Sequence, residues 1–562
     1  MIADLAIPPG LILIAAGLLL TALKGRARNV VALAAPALSL FCVIALPDGT
    51  LVSTRFLDYA LEPLKVDTLS RLFGIIFAVM ALAGTLFGLN QTSRFELPAA
   101  QVYAGSALGA TFAGDLVTLF AFWEIMAVAS TTVVWSAGTP AAYRAGMRYL
   151  AMHLFGGVLL MAGLAGEIGA HGDAAFKAMA LDSPARWLIL AGFLINAGAP
   201  PLSAWLPDAY PEASWSGMVF LSAFTTKTAV YVLLRGFPGV EVLVYVGLYM
   251  VFYGIIYAIL ENDMRRILAY SIVNQVGFMV TGIGLGGEMA LNGAAAHAFT
   301  HIIYKALLLM SAGSVLYATG KRKCTDLGGL FRTMPLTTVC GIVGALSISA
   351  FPLTSGFVSK SLISQAAIDH RLVVVWLLLA AASAGVFLHA GIKFPWFVFF
   401  QKDSGLRPPD PPLTMRLAMV LFAALCILIG VSPGPLYALL PYPVTFVPYT
   451  GDHVVGQLQL LLFSGLAFFL LLGQLKRTLT ITLDIDWFYR RAGRLAAATL
   501  GDKSSAAFAR AVRRSERAAL RFVAGLYRHH GPHGALARSW PTGSMAIWAT
   551  ALLAAYLILA YL

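Results

Sequence analysis

The stretch Gly293–Ser311 reads GAAAHAFTHIIYKALLLMS and carries His297, His301 and Lys305 at successive i, i+4 steps inside an apolar run. On a helix this spacing stacks the three on one face, about 6 Å from one to the next. A lysine near mid-membrane costs roughly 3 kcal/mol on insertion scales, so ionisable groups at that depth face a protein interior and usually serve ion or proton movement. Four further charges interrupt apolar runs: Glu124 in LFAFWEIMAVAS, Lys227 in LSAFTTKTAVYVLLR, Lys360 in FPLTSGFVSK and Lys393 in LHAGIKFPWF. Burial penalises an ammonium, so a buried lysine can exchange protons near neutral pH. A nearby carboxylate opposes proton release and its withdrawal favours it, which makes a Glu–Lys pair a proton switch without a cofactor. Lys393 is the weakest candidate, because the chain from Trp396 onward can reach the interface and let the amine snorkel.

Such groups need a membrane-spanning scaffold, and the composition supplies one. Of 562 residues 59% are hydrophobic and 12% charged, the balance of a polytopic helical membrane protein. Long apolar runs such as Leu11–Leu20 and Leu460–Leu472 exclude an outer-membrane barrel. The formal net charge of +13 does not call for nucleic acid, since much of it sits in short loops and one C-terminal segment, as expected at a cytoplasmic face. The four cysteines (Cys42, Cys324, Cys340, Cys426) form no C-x-x-C pair, which argues against a zinc site, an iron–sulfur cluster or a disulfide framework. No G-x-x-x-x-G-K-[ST] loop or strand-borne G-x-G-x-x-G occurs, so no cofactor and no metal are expected. The first apolar run lacks a basic n-region and reads as a retained helix.

By the twenty-residue criterion the chain holds about sixteen membrane segments, between 14 and 16 once broken helices are counted as one. Lys24, Arg26 and Arg28 place the first loop in the cytoplasm, and the loop Pro47–Lys65 is then external, with TLVSTRFLDYAL as a short hairpin. Alternation puts Arg94, Arg144, Arg148, Arg265, Arg266 and Lys321 inside and both termini outside. Two segments carry proline in mid-span, INAGAPPLSAWLPDAYPEAS from Ile195 and ISAFPLTSGFVSK from Ile348. Proline frees backbone carbonyls that are tolerated at depth only against protein or a water-lined cavity, and a pair of such helices points to inverted repeats. After Lys476 and Arg477 the character changes. Arg510, Arg514, Arg517 and Arg521 share one helical face and Phe508, Val512, Ala519, Phe522 and Leu526 another, which predicts a basic amphipathic helix against lipid headgroups, followed by an anchor helix.

The motifs WLPDAYPEAS, LSAFTTKTAVYVLLR, ENDMRRILAYSIVNQVGFM, HAFTHIIYKALLLMSAGSVLY, DLGGLFRTMP and FPLTSGFVSK occur in that order. Together they resemble the proton-conducting antiporter-like family of Mrp-type cation/proton antiporter subunits and the related membrane subunits of respiratory complex I. The likeness runs from about Gly105 to Phe400. The WLPDAYPEA wording looks most like the D-type branch of the Mrp subunits, while the basic helix and anchor are similar to the lateral helix of the largest complex I antiporter-like subunit. The resemblance implies an all-α fold of two inverted repeats, each with a broken helix and a half-channel, joined by a central polar axis. It implies proton-relay roles for Glu124, Lys227, His301, Lys305 and Lys360, with His297 one turn earlier. The family usually has lysine nine residues before the tryptophan of W-L-P-D-A, and here that position is Asn196. The expected consequence is either that Lys227 partners Glu124 in its place, or that this half conducts poorly and the protein plays a modified role.

The implied organisation is N-terminal helices and an external loop over 1–97, a first repeat over 98–260 and a second over 261–400. C-terminal membrane helices over 401–475, a basic lateral segment over 476–542 and an anchor over 543–562 follow. The expected function is that of a proton-translocating subunit of a multisubunit Na⁺/proton antiporter in the bacterial inner membrane, a transporter and not an enzyme. Its partners would be other membrane subunits, lipid, protons and Na⁺. Two alternatives stand beside it: a pump subunit of a complex I-like redox or inorganic-carbon uptake assembly, and a structural subunit with a partly disabled channel.

Overall fold

The computed structural model describes residues 7–56, 58–474, 484, 486–530 and 541–561. It opens with α1 (Pro9–Leu20) and α2 (Gly25–Ala45), then a hairpin of β1 (Gly49–Phe56) and β2 (Tyr59–Val66). The strands pair antiparallel from Gly49 opposite Val66 to Phe56 opposite Tyr59, as the alternating stretch predicts. There follow α3 (Thr68–Gly88), α4 (Glu96–Phe112), α5 (Leu116–Trp135), α6 (Pro140–His171), α7 (Pro184–Ala197), α8 (Trp205–Ala209), α9 (Gly217–Leu221) and α10 (Thr225–Gly236). Next come α11 (Val242–Leu260), α12 (Met264–Leu285), α13 (Gly287–Thr319), α14 (Pro335–Ile348), α15 (Ser355–Asp369) and α16 (Val373–Val386). The helices α17 (Leu413–Val431), α18 (Gly434–Tyr437), α19 (Gly451–Leu470), α20 (Asp486–His530) and α21 (Thr542–Tyr561) complete it. Among the described residues twelve helices are long and apolar enough to cross a membrane, and Pro9–Leu20, Pro184–Ala197 and Pro335–Ile348 are shorter apolar helices. The fold is an all-α membrane bundle of the expected size.

Local chemistry sets the helix ends that matter. Asp67 accepts from the Ser70 N–H at 2.8 Å and the Ser70 hydroxyl accepts from the Asp67 N–H, a reciprocal cap that starts α3. Asp115 starts α5 by accepting from the Thr118 N–H at 2.7 Å, and its other oxygen accepts from the Glu62 N–H at 2.8 Å, pinning the hairpin. The two long helices α6 and α13 each precede a broken one. Gly198, at φ 81°, turns the chain out of α7 just before Pro200 and Pro201; the second break lies between α14 and α15, over 349–354.

A third break, between α9 and α10 at Ser222–Phe224, carries no proline and was not expected, since the segment reads as one span. Tertiary partners take over the backbone there: the Thr225 N–H donates to the Tyr103 hydroxyl at 2.9 Å, and the Ser222 carbonyl accepts from the Lys227 amine at 2.7 Å. After α16 the helix widens into π turns over Phe387–Lys393 and Trp396–Phe400, around Pro395.

Two of the motifs that carry the family likeness, WLPDAYPEAS and the start of ENDMRRILAYSIVNQVGFM, meet through arginines. Arg265 donates to the carbonyls of Pro211, Ala213 and Ser214 at 2.7–2.9 Å. Arg322 bridges Glu212 and Asp263 at 2.8 Å each, and Arg148 pairs with Asp208 at 2.7 Å. The buried Glu96 accepts from Gln91 at 3.1 Å and from the Ser216 hydroxyl. WLPDAYPEAS is therefore clamped to the ENDMRR turn, which fixes the lower half of the first broken helix. At its far end the first unit returns to α11 and α12 through Asp484, which accepts from Tyr253 at 2.6 Å and Tyr270 at 3.0 Å.

The chain divides into Met1–Asp484 and Ile485–Leu562. In the second unit α20 runs for 45 residues, about 68 Å at 1.5 Å per residue, and begins well before the expected Ala507. Arg510, Arg514, Arg517 and Arg521 are exposed along it, as are Val512, Ala519 and Phe522. The expected placement of Phe508 lies outside the residues whose side chains are described. The expected anchor is α21, an apolar helix of 20 residues.

Candidate functional site

α13 is buried along most of its length, and its polar face meets α12 and α15. His297, His301 and Lys305 are fully buried on it, as the i, i+4 spacing requires. His297 Nδ1 lies 3.1 Å from the Ser359 hydroxyl of α15, and its Nε2 lies 3.2 Å from Gln275 Oε1 of α12. Thr300 meets Ser359 at 2.8 Å, and the Tyr304 hydroxyl donates to Gln275 at 3.1 Å. Lys305 donates to the Ser271 hydroxyl at 2.9 Å and faces the Leu268 carbonyl at 3.4 Å. His301 sits between these groups, its ring 6.2 Å from that of His297 and 5.2 Å from Tyr304, and neither of its nitrogens has a hydrogen-bond partner among the described residues. Lys227, Lys305 and Lys360 all act on it electrostatically.

The two outer lysines are held in the same way. The Lys360 amine donates to the Ile348 carbonyl at 2.7 Å and lies 4.9 Å above the Phe278 ring. The Lys227 amine donates to the Ser222 carbonyl at 2.7 Å and to the Thr226 hydroxyl at 3.1 Å. Ile348 closes α14 and Ser222 follows α9, so each amine sits on a helix C-terminus at a break, where the freed carbonyls and the dipole both favour a cation. Among the described residues no carboxylate lies within ion-pair distance of Lys227, Lys305 or Lys360. Beyond Lys360, Ser361 lies 3.3 Å from His453 Nε2, and His453 lines a cavity of about 610 Å³ together with Asp452, Gln457, Gln365 and Ser383.

The first half differs from expectation. No ion pair joins Glu124 to Lys227. The Lys227 amine is taken up by the break before α10, and the half-buried Glu124 turns toward α6, where a methyl group on Gly157 would collide with Oε1. Glu124 also lines a groove of about 490 Å³ between α1, α4 and α5, walled by Gly17, Thr21, Pro98 and Val102. Asn196, fully buried, is hydrogen-bonded through Oδ1 to Nδ1 of His153 at 2.9 Å. Lys393 is also elsewhere in kind: its amine donates to the carbonyls of Ile259 and, at 2.6 Å, Glu261, so it caps the end of α11.

Sequence reasoning missed His153, Gln275, Tyr304, Ser359 and the buried His389, whose Nδ1 lies 2.8 Å from the Gly385 carbonyl. His153 and His389 carried the same signal as the others, a titratable group in an apolar run. The neutral polar residues carried none until packing aligned them. Chemically, the row offers amines and imidazoles in polar surroundings with hydroxyl and amide relays between them, parts from which a proton path can be assembled.

Fold and site together define a polytopic membrane protein built on broken helices around a buried polar axis. Residues 113–387 match the family described as NADH:quinone oxidoreductase/Mrp antiporter, transmembrane. The chain is 30% identical over 352 residues to the D-type subunit of the Na(+)/H(+) antiporter of Alkalihalophilus pseudofirmus, an alignment covering 58% of this chain and 71% of that protein. The chain belongs to this family. Its fold is similar to a chain of the Mrp complex from Dietzia sp., with TM-score 0.64, 21% identity and coverage of 77% of this chain and 91% of that one. It is also similar to a chain of the archaeal membrane-bound sulfane sulfur reductase, a respiratory membrane complex, with TM-score 0.70, 23% identity and coverage of 78% and 96%. Of several other curated relatives the chain spans between 40% and 65% of the length. It is thus an antiporter-like, multi-pass membrane subunit.

Proposed function

We propose that the chain is a proton-translocating subunit of a multisubunit Na⁺/proton antiporter in a bacterial inner membrane. The observation that carries this reading is the row of Lys227, His301, Lys305, His297 and Lys360, buried with no carboxylate counter-ion among the described residues and framed by two helix breaks. Protons move along it, with Glu124 at the side of the first half, and Na⁺ moves in exchange with the help of other membrane subunits. The Alkalihalophilus relative, by its name, supports the choice of cation. The repeats over 98–260 and 261–400 provide one half-channel each. The basic helix α20 works at the lipid headgroups, and α21 anchors it.

The test is a proteoliposome assay on the chain with its copurifying membrane subunits. An imposed proton gradient dissipates when Na⁺ is added on the opposite side; a wild-type complex that moves no protons overturns the reading. A second reading, a pump subunit driven by a redox module, is favoured by the larger overlap with the sulfane sulfur reductase chain. Iron–sulfur or quinone-binding subunits in the purified complex would select it, and small antiporter subunits would reject it.

A further inference from the structure

The first half lacks the family's lysine at Asn196, and among the described residues Glu124 forms no ion pair. The side chain that fills the gap lies on α6. His153 is 1% exposed and bonded through Nδ1 to Asn196 Oδ1 at 2.9 Å. Its ring lies 4.1 Å from that of Tyr149 and 4.6 Å from that of Trp205, centre to centre. Trp205 is itself fixed by donating to the Ile195 carbonyl at 3.0 Å, next to Asn196. One turn along α6, Gly157 packs on the Glu124 carboxyl, while Gly156 packs on Ile195 and Asn196, so the same stretch of helix touches both.

In this pair two polar atoms, His153 Nε2 and Asn196 Nδ2, are buried without a hydrogen-bond partner among the described residues. Both belong to a pair that is otherwise tightly held, and a buried polar atom left over in such a pair asks for a mobile partner. With Oδ1 accepting, Nδ1 carries the hydrogen and Nε2 is the basic site; with the amide turned over, Nε2 carries the hydrogen instead. In either orientation Asn196 commits one nitrogen and leaves the other to exchange. Tyr149, its ring tilted by 45° against that of His153, donates to Ser130 at 2.9 Å and lies 3.4 Å from Thr225, which meets Tyr103 at 2.6 Å. These hydroxyls reach the first turn of α10, the helix that also carries Lys227.

We propose that His153 is the proton-carrying group of the first half, standing in for the missing lysine, with Asn196 as its positioning residue. The inference rests on the proton-relay reading. A proton arriving at Nε2 makes an imidazolium held by Asn196 Oδ1, near the Glu124 carboxyl, and leaves again from Nε2; no bond other than N–H forms or breaks.

The test uses the full chain in its purified complex and compares imposed-gradient proton flux in four forms. His153→Gln keeps an amide able to bond Asn196 but holds no exchangeable charge; flux is expected to fall about a hundredfold, the lower end of what a positioned proton-transfer group contributes. His153→Gln with Asn196→Lys is expected to regain most of the flux, which a role for His153 in packing alone would not allow. Lys305→Met controls for the relay itself. Wild-type flux in His153→Gln while Lys305→Met is inactive overturns the inference and leaves the relay standing. Loss in His153→Gln without rescue by the second substitution overturns it too. Full flux in Lys305→Met overturns the relay reading instead.

Discussion

Replacing Lys305 by methionine separates a wire from a packing element. Its amine is fully buried and bonds Ser271 at 2.9 Å. Losing that bond costs about 1.5–3 kcal/mol if the amine is charged. Against this, keeping an ammonium out of water costs several kcal/mol, and that penalty disappears with the charge. Methionine is close in length and flexible enough to fill the same space, and a serine freed within a helix can turn its hydroxyl to the carbonyl one turn back. The net change in stability should therefore stay within about 2 kcal/mol, the residue of two opposing terms of similar size. Flux behaves otherwise. His301 next door has no hydrogen-bond partner among the described residues, so a proton reaching it has lost its neighbour one turn on. Transport should fall at least about tenfold, or 1.4 kcal/mol in the barrier. The assay pairs dye-reported proton flux in proteoliposomes with thermal unfolding of the same preparation in detergent. Normal flux in a folded Lys305→Met protein refutes the reasoning, and so does lost flux that appears only with collapsed thermal stability.

Lys393→Met should do the reverse, costing roughly 2 kcal/mol of stability because carbonyls at the end of α11 lose their donor, with flux per folded protein retained. Gly157→Ala should push the Glu124 carboxyl aside and lower flux to the level of Glu124→Gln, measured side by side. Asp67 provides a pH test outside the membrane spans: burial raises its carboxyl, but the Arg235 guanidinium and the Ser70 N–H outweigh it and hold the group below the usual carboxylate range. A depressed folded value means stability that is present above the ordinary aspartate pKa and lost as pH falls through the lowered one. The thermal-midpoint gap between wild type and Asp67→Asn, itself a good cap, should therefore close below about pH 4.

Much of this architecture was legible because hydropathy, proline and charge act locally. The hairpin after α2 and the breaks near Gly198 and Pro352 follow from alternation and from proline chemistry at those positions. The face shared by His297, His301 and Lys305 follows from helical period alone. What stayed hidden depends on neighbours distant in sequence. The break before α10 is held by Tyr103 and by the Lys227 amine, with no proline to announce it. The pairing of Glu124 with Lys227 was an inference from charge balance, and packing overruled it: one side chain turned to α6, the other to a carbonyl. Lys393 read as a snorkelling amine but is only 6% exposed, drawn inward by the carbonyls of α11. His153 carried a visible signal, yet a single histidine gains meaning only once Asn196 is seen beside it.

The buried amines and imidazoles must be joined by solvent if protons are to pass between them. His301 decides this, since both ring nitrogens lack a partner among the described residues. The direct measurement is a map of the purified complex fine enough to resolve ordered water. Water bonded to His301 and continuing toward Lys227 on one hand and Lys305 on the other is the predicted result, as buried water requires two to four polar partners. A His301 ring enclosed by apolar atoms, with no density between it and those lysines, would contradict it.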